Sequence, residues 1–350
     1  MSAAGVGRPT RRDLLRLLGG AAAAGLLAGC GSGDQPAPAA STTAGSLGEL
    51  LAVPGESLTK TTVAASSTSV NHMWAQWGVA HGIYEKYGLD VQSQTNVSNA
   101  VAALAAGRLD FSASGVATTS GAVQGAPVKV MMVTFRDNLG VYASPGITSV
   151  DGLRGKRILG PADMIKAILL KNGIDGETGV TWVTNNSSTQ QSIELVKQGR
   201  ADAFTGYPPA KFLAEEAGLV EVTSVASVYP GSPVSIVGTS TALAESNPLL
   251  VKRFLAGTLE SLAHLKANKA EVVEFFQKSW GFSPELAEKT YTVIPRDMFD
   301  NGETEASALQ TALDITKAAQ GNKDEIPLDR IWDFSLLHDV TAARAAGQGS

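Results

Sequence analysis

Residues 95–115 read TNVSNAVAALAAGRLDFSASG, and this stretch determines the predicted fold. A strand end is followed by a polar turn, a helix, a Gly-Arg-x-Asp break and a second strand. Residues 184–206, TNNSSTQQSIELVKQGRADAFTG, repeat the same order. Two copies about ninety residues apart are too few for a solenoid, and they predict two similar α/β lobes of alternating strands and helices. Gly-Arg-x-Asp can also be an ordinary helix end before a strand, because glycine is common at helix C-termini.

Sheets of this kind bind ligands beyond the carboxyl ends of their strands, where helix N-termini present free N–H groups. Two such lobes facing each other predict a cleft between them. The globular body is expected to begin near residue 59. Four helices are predicted late in the chain, with a break at residues 294–296 and disorder after residue 345. These helices cover residues 249–267, 269–280, 285–293 and 305–319.

Composition excludes some classes of partner. The 350 residues are 44% hydrophobic and 17% charged, with a net charge of −5, which suits a globular protein of two ordinary domains. Without residues 1–29 the chain has 24 basic and 32 acidic residues, a net charge of −8. This balance argues against nucleic-acid binding and against adsorption to anionic lipid. Four scattered histidines, at 72, 81, 264 and 338, predict no metal site, and no cofactor is expected.

The start of the chain predicts export and anchoring. Residues 10–15, TRRDLL, carry adjacent arginines before an apolar segment, as twin-arginine export signals do. That segment ends in LAGC at residues 27–30, which resembles the lipobox of bacterial lipoproteins. The resemblance implies cleavage of residues 1–29 and lipid attachment to Cys30, which is the sole cysteine of the chain. Residues 30–58 are rich in Gly, Ser, Pro, Ala and Thr and predict a flexible tether.

Candidate cleft residues follow the predicted strands. The serine-rich end at Ser66, Ser67 and Thr68 offers hydroxyl groups before a helix predicted over residues 71–87. On that helix Trp74 shares a face with other aromatic residues. Trp74 either stacks on a flat ligand or belongs to an ordinary core-facing stripe.

Four further candidates follow other strands. Arg136 leaves the core at a strand end, where it either faces the cleft or forms a surface pair with Asp137. Asp163 is a natural helix N-cap, and Asn186 suits either ligand contact or turn chemistry. Tyr207 precedes two prolines that preset a helix start and hold the ring at the cleft edge.

Several segments together resemble solute-binding proteins of ABC importers, in the group that binds sulfonates, taurine, nitrate and thiamine-pyrimidine precursors. The resemblance covers roughly residues 59–337. It rests on four segments in the family's order: 104–111 (LAAGRLDF), 151–158 (DGLRGKRI), 203–210 (AFTGYPPA) and 247–254 (NPLLVKRF).

The resemblance implies a two-lobed, type II-like periplasmic-binding-protein fold, with two doubly wound α/β lobes joined by two crossing strands. Lobe 1 is expected to comprise residues 59–143 plus 236–350, and lobe 2 residues 144–235. By the same resemblance, one side of the cleft is formed by Ser66, Ser67, Thr68, Ser114, Gly115 and Val116, and the other by Tyr207. Relatives often carry serine, threonine or histidine where this chain has Asp163, and an acidic group there would repel an anion.

The resemblance also implies the function. We expect a monomeric, lipid-anchored receptor on the extracytoplasmic face of the membrane. It would capture a small organic molecule, sulfonate-like or planar and pyrimidine-like, and deliver it to an ABC permease and its ATPase. One alternative is an enzyme like the thiamine-pyrimidine synthase, although that enzyme's cysteine cluster is absent from this sequence. The other alternative is a ligand sensor without a transport role.

Overall fold

The computed structural model describes residues 46–66, 69–95, 97–136, 138–160, 163–184 and 188–348. The strands in these ranges are β1 (Thr59–Ala64), β2 (Leu89–Gln94), β3 (Phe111–Ser114), β4 (Val128–Arg136), β5 (Gly140–Ala143), β6 (Arg157–Leu159), β7 (Thr181–Val183), β8 (Ala203–Gly206), β9 (Val220–Ser224) and β10 (Pro233–Ser240). The helices are α1 (Leu47–Leu50), α2 (Met73–Ala80), α3 (Ala100–Ala105), α4 (Gly115–Val123), α5 (Asp163–Lys171), α6 (Thr189–Lys197), α7 (Ala210–Glu216), α8 (Val225–Val228), α9 (Thr241–Ser246), α10 (Pro248–Ala267), α11 (Lys269–Trp280), α12 (Pro284–Tyr291), α13 (Val293–Asp297), α14 (Ala306–Gln320) and α15 (Ser335–Gln348).

The strands form two five-stranded sheets, in the orders β2-β1-β3-β10-β4 and β7-β6-β8-β5-β9. In the first sheet β1 pairs in parallel with β2 and β3, and β10 runs antiparallel to both β3 and β4. In the second sheet β6 pairs in parallel with β7 and β8, and β5 runs antiparallel to both β8 and β9. Helices connect the parallel strands, so the prediction of two α/β lobes is confirmed.

The Gly-Arg-x-Asp repeat performs the same task in both sheets. Asp110 accepts a hydrogen bond from the backbone N–H of Thr62 at 2.8 Å, and Asp202 accepts one from the backbone N–H of Arg157, also at 2.8 Å. Each aspartate directly precedes a strand, and each bond goes to the neighbouring parallel strand. The repeat is therefore more than a helix end, because it fixes where two adjacent strands begin to pair.

The boundary predicted between the lobes is wrong by a few residues on each side. Strand β5 was expected to close lobe 1, but it pairs with β8 and β9 in the second sheet. Strand β10 begins three residues before the predicted return at 236, and Pro233 already pairs with Arg136 in the first sheet. Both strands lie between two others, and only their pairing partners, which are distant in sequence, decide which sheet they join.

The helix predicted over residues 71–87 is shorter and divided. A 3₁₀ turn, Val70–His72, precedes α2, and a second 3₁₀ turn, Glu85–Tyr87, follows a loop. Gly82 in that loop has a φ of +62°, a left-handed conformation that an α-helix cannot accommodate. The aromatic periodicity across this stretch therefore marks a buried surface rather than one continuous helix.

The segment predicted as tether is partly docked. Helix α1 packs against α10 and α15, and Leu50 is buried. Glu56 forms an ion pair with the buried Arg253, with 2.7 Å between Oε1 and Nη1, and Arg253 also donates to the carbonyl of Leu51 at 3.2 Å. The folded body therefore includes residues 47–58 as well, because one apolar anchor and one ion pair fix a segment of otherwise loop-like composition.

Two expectations at the C-terminal end are also wrong. Residues 294–296 do not break helical structure, because Pro295 lies in the first turn of α13, where a missing backbone N–H is tolerated. The chain beyond residue 345 remains helical to Gln348 in α15. Leu337, Val340 and Ala343 of α15 are buried in the main core cluster, and this packing extends the helix beyond what its sequence suggests.

Candidate functional site

The two chain connections join the carboxyl-end edges of the two sheets. Strand β4 runs parallel to β1 and β3, so the first connection leaves the first sheet at the edge where those strands end. It enters β5 at Gly140, which pairs with Gly206, the last residue of β8. The second connection leaves from Ser224, which also pairs with Gly140, and returns to the first sheet at Pro233. Because four residues span at most about 14 Å, the ends of β1, β3, β6 and β8 lie at facing edges.

On the first sheet, His72 connects the ends of β1 and β3. Its Nδ1 accepts a hydrogen bond from the backbone N–H of Ser66 at 3.0 Å, and Gln76 donates to the carbonyl of Ser66 at 3.2 Å. Burial lowers the pKa of His72 to about 4, and the nearby carbonyl of Ala113 opposes this shift only in part. His72 is therefore neutral at pH 7 and keeps its ring proton on Nε2.

The end of β3 leads directly into helix α4. Ser114 is the N-cap residue, and its side chain makes no capping hydrogen bond, so the N–H groups of the first turn keep their positive potential at the edge. Gly115 is buried, and a Cβ there would lie 2.8 Å from the carbonyl oxygen of Val234. Val116 is half-buried and packs against the main core. The absence of a side chain at Gly115 therefore allows the start of α4 to pack closely against Val234 of β10.

On the second sheet, Asp163 and Tyr207 follow the neighbouring parallel strands β6 and β8. Thr205 donates to the carbonyl of Gly160 at 3.1 Å, which ties the two strand ends together. Tyr207 is half-buried against the main core, and burial raises the pKa of its hydroxyl group to about 12. Asp163 is the first described residue of α5 and lies in its first turn, where a negative charge is favourable to the helix.

Trp74 does not belong to the site, and its predicted ligand contact is wrong. The side chain is fully buried and meets the ring of Phe254 edge-on, with 6.1 Å between centroids. The alternative reading of a core-facing stripe is confirmed, because Trp77 and Tyr84 are buried as well. The first turn of α2 points Trp74 into the first lobe because apolar partners from α10 lie on that side.

Arg136 is half-buried at the end of β4. Its guanidinium carbon lies 4.7 Å from the centroid of the Phe299 ring, a cation–π contact within the first lobe. This contact turns the charge toward the C-terminal part of the chain. Of the other predicted positions, Ser67, Thr68, Asn186 and Cys30 lie outside the described residues, as does Asp137.

Sequence reasoning missed the part that His72 plays at the first edge. His72 was considered only as a metal ligand, whereas in the structure it bonds a strand end. The available signal was its position, six residues after Ser66 and at the start of the helical stretch. Within the described ranges no group of three His, Cys, Asp or Glu side chains could hold a metal ion. In those same ranges, every helix is too short or too polar to cross a bilayer.

Comparison with known proteins gives a family and a fold. The family model described as "NMT1/THI5 like" matches residues 69–272. A protein of Brucella abortus, named provisionally as a binding protein, is 31% identical over 209 residues. That alignment covers 56% of this chain and 64% of the relative, so the chain spans less than two thirds of the relative's length.

Solved structures share the fold at low identity. The periplasmic nitrate-binding protein of Synechocystis is 14% identical with a TM-score of 0.66, covering 82% of this chain and 89% of the other. The alkanesulfonate-binding protein of Xanthomonas axonopodis, bound to MOPS, is 14% identical with a TM-score of 0.63, covering 79% and 96%. A desulfurization enzyme is also 14% identical, with a TM-score of 0.58 over 81% and 99% of the two chains. The predicted periplasmic-binding-protein fold is thereby confirmed.

Proposed function

We propose, for a chain that belongs to the NMT1/THI5-like family, that it is a solute-binding protein that captures a small organic molecule between its two lobes. It would deliver this molecule to an ABC permease and its ATPase. The single observation that carries the proposal is the pair of facing strand-end edges, each with neutral polar groups. Ser66, His72 and Ser114 lie on one edge and Tyr207 on the other. Ligands of open α/β sheets bind at such edges.

The charges at the two edges favour an uncharged planar ligand over a sulfonate-like one. In the sequence, three charged residues come at the ends of strands that reach these edges. Arg136 is the last residue of β4, Asp137 follows it, and Asp163 is four residues after β6. Arg136 is engaged with Phe299, and His72 is neutral. An anion would therefore rely on helix N-termini and hydroxyl groups while lying near an aspartate. A planar molecule with donors and acceptors could stack on Tyr207 and bond the neutral groups.

The first test is a thermal-shift screen of a soluble body that begins at Gly31. The panel contains alkyl and aryl sulfonates, taurine, nitrate, aminopyrimidines and aromatic carboxylates, applied to protein refolded to remove retained ligand. A compound at one hundred times its dissociation constant adds about 2.7 kcal/mol of stability, which is a shift of several degrees for a domain of this size. The proposal expects a strong hit among the planar compounds, and a flat response across the panel would contradict it.

Variants and product analysis applied to any hit separate binding from the enzyme alternative. For any hit, Tyr207→Ala should reduce the thermal shift strongly, because the aromatic surface is lost. The core variant Tyr84→Phe should leave the shift intact. Chromatography of the hit after incubation should return it unchanged. A product that forms with protein and not with Tyr207→Ala would instead favour the enzyme alternative.

Export and lipid anchoring form the second part of the proposal. They rest on the arginine pair before the apolar segment and on the LAGC sequence that ends at Cys30. Full-length protein expressed in a bacterium with lipoprotein processing should incorporate a labelled fatty acid and remain in the membrane fraction. Cys30→Ala should abolish both. Membrane association that persists without label in the variant would contradict lipid anchoring.

A further inference from the structure

Two buried amides connect the candidate site to the first interlobe connection. Asn71 donates to Oδ1 of Asn138 at 2.9 Å, and Asn138 donates to Oδ1 of Asn71 at 2.7 Å. The two residues are only 2% and 8% exposed, so this reciprocal pair is shielded from water. Asn71 directly precedes His72 in the 3₁₀ turn, whereas Asn138 lies two residues before β5. Shielded amides that bond each other reciprocally hold their partners in one geometry, because each lost bond would leave a buried polar group unpaired.

The second connection is tied to the same turn. The hydroxyl group of Ser235, near the start of β10, lies 2.9 Å from the carbonyl oxygen of Asn71 and 3.1 Å from that of Ala113. It accepts a hydrogen bond from Thr134 of β4 at 2.9 Å. The carbonyl of Ala113 also faces His72. One buried network thus joins the turn that carries His72 to the end of β3. It also includes Asn138 in the first connection and Ser235 just after the second.

Residues just beyond this network belong to the second sheet. The carbonyl of Leu139 accepts a hydrogen bond from the backbone N–H of Val225 at 2.9 Å, and the next residue is already in β5. On the return path, the backbone N–H of Tyr229 bonds the carbonyl of Val225 at 2.7 Å, while Pro233 pairs in the first sheet. Gly231 lies between them with a left-handed φ of +81°. The change from one lobe to the other therefore falls at the 138–139 link and at residues 230–232.

We propose that Asn138 is a positioning residue that makes the first connection part of lobe 1 and confines bending to the 138–139 link. Through Asn71 it also fixes the turn that carries His72, so the geometry of the ligand-facing edge depends on an intact hinge. This inference rests on the proposed function of the cleft as the ligand site. Asn138 would then determine the relative orientation of the two strand-end edges without touching the ligand.

The test measures the distance between the lobes in ligand-free, refolded protein. A body beginning at Gly31 contains no cysteine, so Lys60→Cys in lobe 1 and Gln198→Cys in lobe 2 give two exposed sites for spin labels. Pulsed EPR then gives the distribution of label-to-label distances. Asn138→Asp is almost isosteric, but it places a carboxylate oxygen against Oδ1 of Asn71. Asn138→Ser is the second variant if the first does not fold.

The matched control is Tyr84→Phe, which removes a buried hydroxyl that lies 3.1 Å from Thr258 within lobe 1. Tyr84 precedes the start of β2, whereas both connections meet the sheet at the opposite edge, where β1 and β3 end. We expect the Asn138 variants to widen the distance distribution at least twofold and Tyr84→Phe to leave its width unchanged, although both lower the melting temperature. A width in the Asn138 variants equal to that of the parent would overturn the proposal. Because no ligand is added, a widened distribution would stand even if the thermal-shift panel gave no hit.

Discussion

The two copies of Gly-Arg-x-Asp share one backbone role and differ in their side-chain partners. Asp110 bonds the backbone N–H of Thr62 and also its hydroxyl group, both at 2.8 Å. Asp202 bonds the backbone N–H of Arg157 and also its guanidinium group, with Nε at 3.0 Å. The shared bond sets the start of parallel pairing, which the fold requires in both lobes. The second bond is neutral in one lobe and ionic in the other, so the fold leaves the side-chain partner free to vary.

The strands that follow the two aspartates also differ in how they are packed. Phe111 of β3 stacks on Phe254 with 3.8 Å between ring centroids and 2° between planes. Phe204 of β8 lies tilted against Tyr142, with 5.3 Å between centroids. Both phenylalanines are buried. The long helix α10 places Phe254 against three aromatic rings of lobe 1, those of Trp74, Tyr84 and Phe111, so we expect lobe 1 to depend more on its aromatic strand.

The largest expected effect tests that difference in packing. Phe111→Ala should cost about 3–5 kcal/mol of unfolding free energy, because it removes a buried ring and leaves a cavity. Phe204→Ala should cost less, since Phe204 packs on the single aromatic partner Tyr142, whereas Phe111 packs on Phe254, which also contacts Trp74 and Tyr84. Urea unfolding followed by circular dichroism provides both values. Equal losses, or a larger loss at Phe204, would show that the two lobes depend equally on their aromatic strands.

A smaller effect tests the shared backbone bond. Asp110→Ala and Asp202→Ala should each cost about 1–3 kcal/mol, because each leaves a backbone N–H of the adjacent strand without its partner. The control Asp314→Ala removes an exposed carboxylate that bonds Gln310 on the surface of α14, and it should stay within about 0.5 kcal/mol of the parent. The same urea experiment measures all three. Aspartate variants indistinguishable from the control would reduce the repeat to an ordinary helix end.

Most of the fold could be predicted from the sequence, and the repeat explains why. Its turn, helix and strand signals are local, so both lobes and the limits of helices such as α11 follow from short segments. The sheet membership of β5 and the docking of the segment that follows α1 depend on partners sixty or more residues away in sequence. For the candidate site, Ser66, Ser114 and Tyr207 are predicted from the ends of strands. His72 could not be assigned, because its role depends on the fold around Ser66 and Ala113.

The smallest effect tests the difference in side-chain partners. The hydrogen bond from Arg157, supported by its charge and backbone N–H, lowers the pKa of Asp202 below its ordinary value of 3.8 although burial opposes the shift. A carboxyl group with a lowered folded pKa stabilises the protein above its unfolded pKa, and this contribution is lost as the pH falls through the folded pKa. Asp202→Asn should therefore be less stable than the parent at pH 7 and should lose less stability on acidification below about pH 4. Parallel pH profiles of melting temperature for the two proteins would contradict this account.

The proposed site requires one ligand to contact the strand-end edges of both sheets. Hydrogen–deuterium exchange with mass spectrometry, with and without the compound of largest thermal shift, tests it most directly. We predict slowed exchange in peptides that cover residues 65–72 and 114–118 of the first lobe, together with residues 160–166 and 205–210 of the second. Protection confined to one lobe, or located away from all four segments, would contradict a ligand held between the two edges.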